Sequence, residues 1–350
     1  MQRAVAYYPG KRVAITGGLG FIGSNLACRL VDLGSDVLLI DSMVPDYGGN
    51  LANVDDYRDR LQVNFADVRD VTAMNYLVQE RDVIFNLAGQ VSHIDSMRDP
   101  YTDLDINCRS QLSLLEACRQ YNPTVKLVFA STRQVYGRPD RTPVDETHVA
   151  RPMDVNGINK LAGEWYHIVY NNAYGVRATV LRLTNTYGPR QLMKHNRQGF
   201  LPWFIRQVLD DEEIQLFGDG QQRRDFTYVD DAADAFLLAG CTEGTDAEIY
   251  NLGGESASLR EVVELLIALA GRGRYRLVPF PPEKQVIDIG SYEADYSKIH
   301  RALGWEPRVS LREGLARALA YYDAHRGEYW GSAAGGSGAD RAVSRATSSP

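Results

Sequence analysis

The sequence has no basic excess: 38 Lys and Arg face 45 Asp and Glu, a formal charge of −7. It therefore carries no electrostatic footprint for nucleic acid or for an anionic membrane. No apolar run approaches the ~20 residues that a membrane span needs, and "MQRAVAYYPGKR" lacks the apolar core of a secretory signal. A cytoplasmic protein without a membrane partner is expected. Cysteine is scarce, and Cys28, Cys108, Cys118 and Cys241 stand far apart with no C-x-x-C pair. They read as small buried hydrophobes in a reducing compartment, and no metal site is expected. Large apolar residues are almost missing from "GSAAGGSGADRAVSRATSSP". Residues 331–350 cannot offset the entropy of ordering and read as a disordered tail.

The rest is ordinary for a globular chain. With 44% hydrophobic and 24% charged residues over 350 positions, it can bury one large core or two coupled ones. Short β-branched runs ("RVAIT", "DVLLID", "DVIFNLA", "KLVFAS", "RATVLRL") alternate with segments of helical period at Gly20 to Leu33, Val71 to Gln79, Leu104 to Tyr121 and Asn156 to Tyr174. That alternation predicts an α/β fold of the Rossmann-like, doubly wound kind, with a parallel sheet covered on both faces. Beyond Asn185 the loops lengthen, and helices near Leu201 to Leu209, "REVVELLIALAG" and "LREGLARALAYY" suggest a smaller C-terminal substrate domain. The expected division is 1–185 with about 225–255 for the large domain, and 186–224 with 256–330 for the small one.

In "ITGGLGFIGSNLACRL", Gly17, Gly20 and Gly23 follow a strand and open a helix. Glycines there permit a tight turn and let backbone N–H groups approach a pyrophosphate at the positive end of the helix. Asp41 ends the next strand, about 20 residues on, where a carboxylate binds the ribose hydroxyls and repels a 2′-phosphate. NAD is expected over NADP. Asp67, in "NFADVRD", could bind the adenine amine or could equally be a helix N-cap.

These motifs, together with "DVIFNLAGQVS", "STRQVYG", the Lys160 helix, "LRLTNTYGPR", "GDGQQRRDFTYVDD" and "LGWEP", resemble the extended short-chain dehydrogenase/reductase family, in particular its nucleotide-sugar epimerases and dehydratases. The resemblance runs from about Lys11 to about Trp330. It implies tightly held NAD that oxidises a sugar hydroxyl and later returns the hydride. It also implies a cofactor set of Gly17, Gly20, Phe21, Ile22, Asp41, Asp67, Val68, Leu87, Ala88 and Lys160, and a substrate set of His93, Arg133, Asn185, Phe200 and Arg224.

Hydroxyl oxidation needs a base for the proton. In the family a tyrosine serves, supported by a lysine four residues later and by a Ser/Thr hydroxyl. Here Lys160 and Thr132 hold those places, but the tyrosine position is Asn156, and "MDVNGIN" holds no tyrosine one step away. The candidates for the base are Lys160 itself, Tyr136 and His93; Asn156 could still orient a water or a sugar hydroxyl, being both donor and acceptor.

Relatives that eliminate water place an Asp-Glu pair after the hydroxyl residue. Here Arg133 and Gln134 stand there, which disfavours a 4,6-dehydratase and leaves an epimerase. The run "YGPRQLMKHNRQGFLPWFI" is similar to a region of the CDP-tyvelose/CDP-paratose 2-epimerases. Arg224 suits a diphosphate, the alternative being a surface salt bridge with Asp225 or Asp230; Lys284 could replace the arginine that relatives often carry where Gln285 falls. Leu112, Leu115 and Cys108 on one helix, and Ile158, Leu161 and Trp165 on another, form apolar stripes read mostly as core, though relatives dimerise through these helices. A homodimer is expected. Two other readings stay open: an enzyme that needs no tyrosine (a dehydratase or decarboxylase, or an epimerase acting on a ketone already in its substrate), and a binding protein with little redox activity.

Overall fold

The computed structural model describes residues 1–330; the expected disordered tail lies outside the described residues, as does the side chain of residue 283. The strands in chain order are β1 (Arg12–Thr16), β2 (Asp36–Ile40), β3 (Gln62–Asn64), β4 (Val83–Asn86), β5 (Lys126–Thr132), β6 (Arg177–Leu183), β7 (Asn185–Tyr187), β8 (Glu213–Phe217), β9 (Arg223–Tyr228), β10 (Glu248–Asn251), β11 (Glu255–Ser258) and β12 (Arg274–Val278). Seven of them form one parallel sheet in the order β10-β6-β5-β4-β1-β2-β3. Its strands are apolar runs because helices cover both faces: every residue of β4 is buried. The chain reverses its direction of winding between β1 and β4, and a crevice opens there at the carboxyl ends of the strands.

The second region has its own core, in which Phe204, Leu216, Val263 and Leu315 pack together. It contains a three-stranded sheet, β11-β9-β7, and the parallel pair β12-β8. The expected division assigns about 225–255 to the large domain. Its first strand, β9, does not join the large sheet, but the helix Val229–Cys241 that follows contributes Ala232, Phe236 and Leu237 to the core under that sheet.

The helix Val155–Tyr174 connects this scaffold to the crevice. Asp154 caps it, Oδ1 accepting the Gly157 N–H at 2.7 Å, and Gly175 ends it in the left-handed region at φ +73°. Asn156, Lys160, Glu164 and His167 recur at helical spacing and are all buried on the sheet side. On the opposite side, Ile158 and Trp165 are 54% and 57% exposed. These polar residues thus face inward, while Ile158 and Trp165 face outward. This corrects the expectation of core packing for those two, whereas Leu115 and Cys108 on the neighbouring helix are buried as expected. That neighbour is also longer than anticipated: it begins at Pro100, widens to a π turn over Asp105–Arg109 and continues as Ser110–Tyr121.

Candidate active site

A cavity of about 570 Å³ runs along the crevice, and of the sequence-expected site residues all but the candidate base Tyr136 line it: Gly17, Gly20, Phe21, Ile22, Asp41, Asp67, Val68, Leu87, Ala88, His93, Thr132, Arg133, Asn156, Lys160, Asn185, Phe200 and Arg224. At one end the lining is mainly backbone. Gly17 has φ +68°, and a Cβ there would meet Ala88 N at 2.9 Å; a Cβ on Gly23 would meet Gly17 O at 2.3 Å. Thr16 Oγ1 accepts the N–H groups of both Leu87 and Ala88 at 3.1 Å, fixing the turn after β4 against the glycine loop. The helix Phe21–Asp32 opens at Gly20 with no side-chain cap, so its first N–H groups are free for an anion.

Asp41 accepts N–H groups from Leu19 (3.0 Å) and Met43 (2.9 Å), one on each oxygen. Burial raises its pKa against those two hydrogen bonds, and each oxygen keeps a lone pair for a ribose hydroxyl. Asp67 is gripped by Arg69 at 2.6 and 2.9 Å, which holds its carboxyl below the usual range. The N-cap of the next helix is Asp70, so the capping alternative for Asp67 is set aside. The glycine contacts, the uncapped helix and the Asp41 carboxylate fit a dinucleotide.

At the other end the lining is a network of side chains. The buried Asp103 carboxyl accepts hydrogen bonds from Asn159 (2.8 Å), Asn107 (3.1 Å) and Asn156 (3.1 Å). Asn156 Nδ2 also donates to Gln90 O at 2.7 Å. Its amide hydrogens are thereby committed, and Oδ1 is the end left for the cavity. Lys160 Nζ donates to Ala130 O at 3.1 Å, and burial lowers its pKa to about 8 against the opposing pull of Asp103 and Glu164. A Cβ on Gly89 would sit 2.9 Å from both Lys160 Nζ and Asn107 Oδ1, so a side chain there would displace the ammonium from its present place. Thr132 Oγ1 accepts the Gln134 N–H at 3.2 Å and caps the short turn Arg133–Tyr136.

Tyr136 does not line the cavity. It is buried, its hydroxyl donates to Asn251 Oδ1 at 2.7 Å, and burial pushes its pKa up to about 12. This removes one of the three candidate bases. His93 opens the helix His93–Arg98, with Nδ1 3.0 Å from Asp154 Oδ2. Arg224 is buried and pairs with Asp288 at 3.2 Å, not with Asp225 or Asp230, and burial lowers its pKa to about 10. Arg133 lies 5.7 Å above the Tyr292 ring, its Nε enclosed without a hydrogen-bond partner. Asn185 Nδ2 donates to Asp225 O at 2.9 Å, and Phe200 meets Phe226 edge-on at 6.1 Å between centroids. Lys284 also reaches the cavity, its Nζ 4.8 Å from the centre of the Phe217 ring.

Sequence reasoning passed over Asp103 and Asp154. An N-cap signal was available for Asp154, an acid directly before a helical run, but nothing local announces that it meets His93. Asp103 gave no signal at all.

Residues 13–253 match the family described as NAD dependent epimerase/dehydratase. The chain is 33% identical over 311 residues to a putative UDP-glucose 4-epimerase of Methanocaldococcus jannaschii, covering 88% of this chain and 97% of that protein. Among solved structures, it is similar to the Thermotoga maritima UDP-glucose 4-epimerase with UDP-glucose (32% identity, TM-score 0.81, 90% of this chain and 99% of that one). It is also similar to the Thermus thermophilus UDP-glucose 4-epimerase in complex with NAD (33% identity, TM-score 0.79, 89% and 98%).

Proposed function

We propose a reaction for a chain that belongs to the NAD-dependent epimerase/dehydratase family: epimerisation of a nucleotide sugar by transient oxidation of one hydroxyl. NAD is its cofactor and supplies the acceptor for the hydride. Gly17, the amino end of the helix Phe21–Asp32 and Asp41 hold it, and Lys160 serves its ribose. Arg224 and Lys284 receive the diphosphate of the substrate, and Thr132 and Asn156 Oδ1 position the sugar hydroxyl.

The observation that carries the choice of epimerisation is the pair after Thr132. Gln134 is tied to Asp154 through Nε2 at 3.1 Å, and Arg133 is a permanent cation, so neither can shuttle the proton that loss of water would require. A carbonyl formed and reduced again on its opposite face needs no such pair.

The test is incubation of the purified protein with UDP-, GDP-, CDP- and dTDP-sugars in heavy water, followed by NMR and mass spectrometry. One sugar should give an epimer of unchanged mass. A product lighter by one water, or deuterium beside a pre-existing ketone, would overturn the reading. Binding without any conversion would favour the binding-protein reading, which the Asn156 position supports.

The outward stripe of Ile158, Trp165 and Val169 supports a homodimer. Changing Trp165→Glu is expected to shift the sedimentation coefficient from dimer to monomer. No helix among the described residues is long and apolar enough to cross a membrane.

A further inference from the structure

The proposed reaction leaves its proton unassigned, and the inference drawn here rests on that reaction. An amide oxygen such as Asn156 Oδ1 takes no proton at neutral pH. Tyr136 is outside the cavity. Burial lowers the Lys160 pKa to about 8 against Asp103 and Glu164, but its Nζ donates to Ala130 O and is the group that serves the cofactor ribose.

The geometry points to His93, oriented by Asp154, as the acid–base residue that stands in for the absent tyrosine. Three observations lead there. First, His93 lines the same cavity as Thr132, Asn156 and Lys160. Second, its Nδ1 is enclosed by protein and lies 3.0 Å from Asp154 Oδ2. The ring is turned off the line of a straight hydrogen bond, and no other hydrogen-bond partner meets that nitrogen, so Asp154 is the group that faces it. Third, the side chain is 33% exposed although Nδ1 is not, so the accessible edge is the one that carries Nε2.

A carboxylate on Nδ1 selects the Nδ1–H tautomer and leaves a lone pair on Nε2, directed away from the carboxylate. Asp154 is itself fixed by the Gly157 N–H on Oδ1 (2.7 Å) and Gln134 Nε2 on Oδ2 (3.1 Å). Burial would raise its pKa, but His93 and those donors outweigh burial and hold it below the usual carboxylate range. The helix N-cap and the ring orienter are therefore the same residue, and the cap fixes the imidazole in register with Asn156, two residues along the helix.

In the forward step Nε2 would take the proton of the sugar O–H bond as the C–H bond of the same carbon releases its hydride to the acceptor that bound NAD would supply, leaving a carbonyl. In the return step the hydride is added to the opposite face of the carbonyl carbon, and Nε2–H gives the proton back to oxygen. His93 is the catalytic residue, and Asp154 is a positioning residue that acts through it.

Two measurements test this. In ¹⁵N-labelled protein, the His93 ring should be the Nδ1–H tautomer, and Asp154→Asn should lose that preference; an Nε2–H ring in the unmodified protein would overturn the proposal. This readout needs no substrate, so it stands whether or not the sugar panel finds one, and a silent panel counts against the epimerase reading alone. With the sugar that is turned over, His93→Gln should slow formation of the oxidised intermediate by about 100-fold or more, the scale of general acid–base catalysis. Its dissociation constant for that sugar should stay within about threefold, and added imidazole should restore part of the rate. A His93→Gln protein that keeps more than about a tenth of the rate, or that loses binding in proportion to rate, would overturn the assignment.

Discussion

At the cofactor end of the cavity the contacts are mostly made by backbone: a glycine turn so tight that an added Cβ would meet a neighbouring amide nitrogen at 2.9 Å, an uncapped helix and two N–H groups held by the Thr16 side-chain oxygen. At the sugar end they are made by side chains from separate elements, three asparagines on Asp103 and a histidine on Asp154. A backbone site tolerates almost any sequence that keeps its glycines. A side-chain site changes its chemistry with one substitution. Asn156 sits in the second kind of ground, its side chain held in a hydrogen-bond network with Gln90 and Asp103.

The sharpest way to break the sugar end is Asp103→Ala. Three buried amide donors would lose an acceptor at about 1–3 kcal/mol each, and a destabilisation of roughly 3–9 kcal/mol should appear in a denaturant melt. Asp103→Asn, which keeps an acceptor oxygen, should recover part of it.

The inward helix face makes a second prediction. His167 is fully buried, stacks on Phe129 at 4.5 Å, and burial lowers its pKa from 6.5 to about 4. Between those values the unfolded chain binds a proton that the folded one refuses, so stability rises with pH through this window and falls on acidification. The contribution approaches 3 kcal/mol across the window. Denaturant melts from about pH 7 to about pH 4 should show it, and His167→Phe should flatten the slope.

At the cofactor end, Gly17→Val forces a branched side chain against Ala88 in a left-handed backbone position. NAD affinity should fall by about 100-fold, some 2.7 kcal/mol, in calorimetric titration, while the Asp103 network stays intact. The smallest effect belongs to Asn156→Tyr. The ring cannot keep the donations to Gln90 and Asp103, so activity should fall by about tenfold, or 1.4 kcal/mol. A gain of several orders of magnitude would mean that the natural protein lacks a working base.

The same contrast explains what could be read in the sequence. The parallel sheet was legible because strands buried on both faces must be apolar throughout, and the glycine loop was legible because its spacing is the structure. Asp41 followed from its distance after Gly17. The strand Arg223–Tyr228 (RRDFTY) joins the smaller sheet, and a short run of charged and aromatic residues does not say which sheet receives it. The outward position of Ile158 and Trp165 was hidden because an apolar stripe looks the same whether it meets a core or a partner. The pairing of His93 with Asp154 was invisible because it depends on two helices meeting, not on any local pattern.

The central claim, transient oxidation of one sugar carbon and return of the same hydride, is most directly tested with a substrate deuterated at the carbon that is inverted. Retention of deuterium at that carbon in the epimer formed in ordinary water is the predicted result. Replacement of the label by solvent hydrogen would contradict the account, because it would make proton exchange, not hydride transfer, the step that inverts the centre.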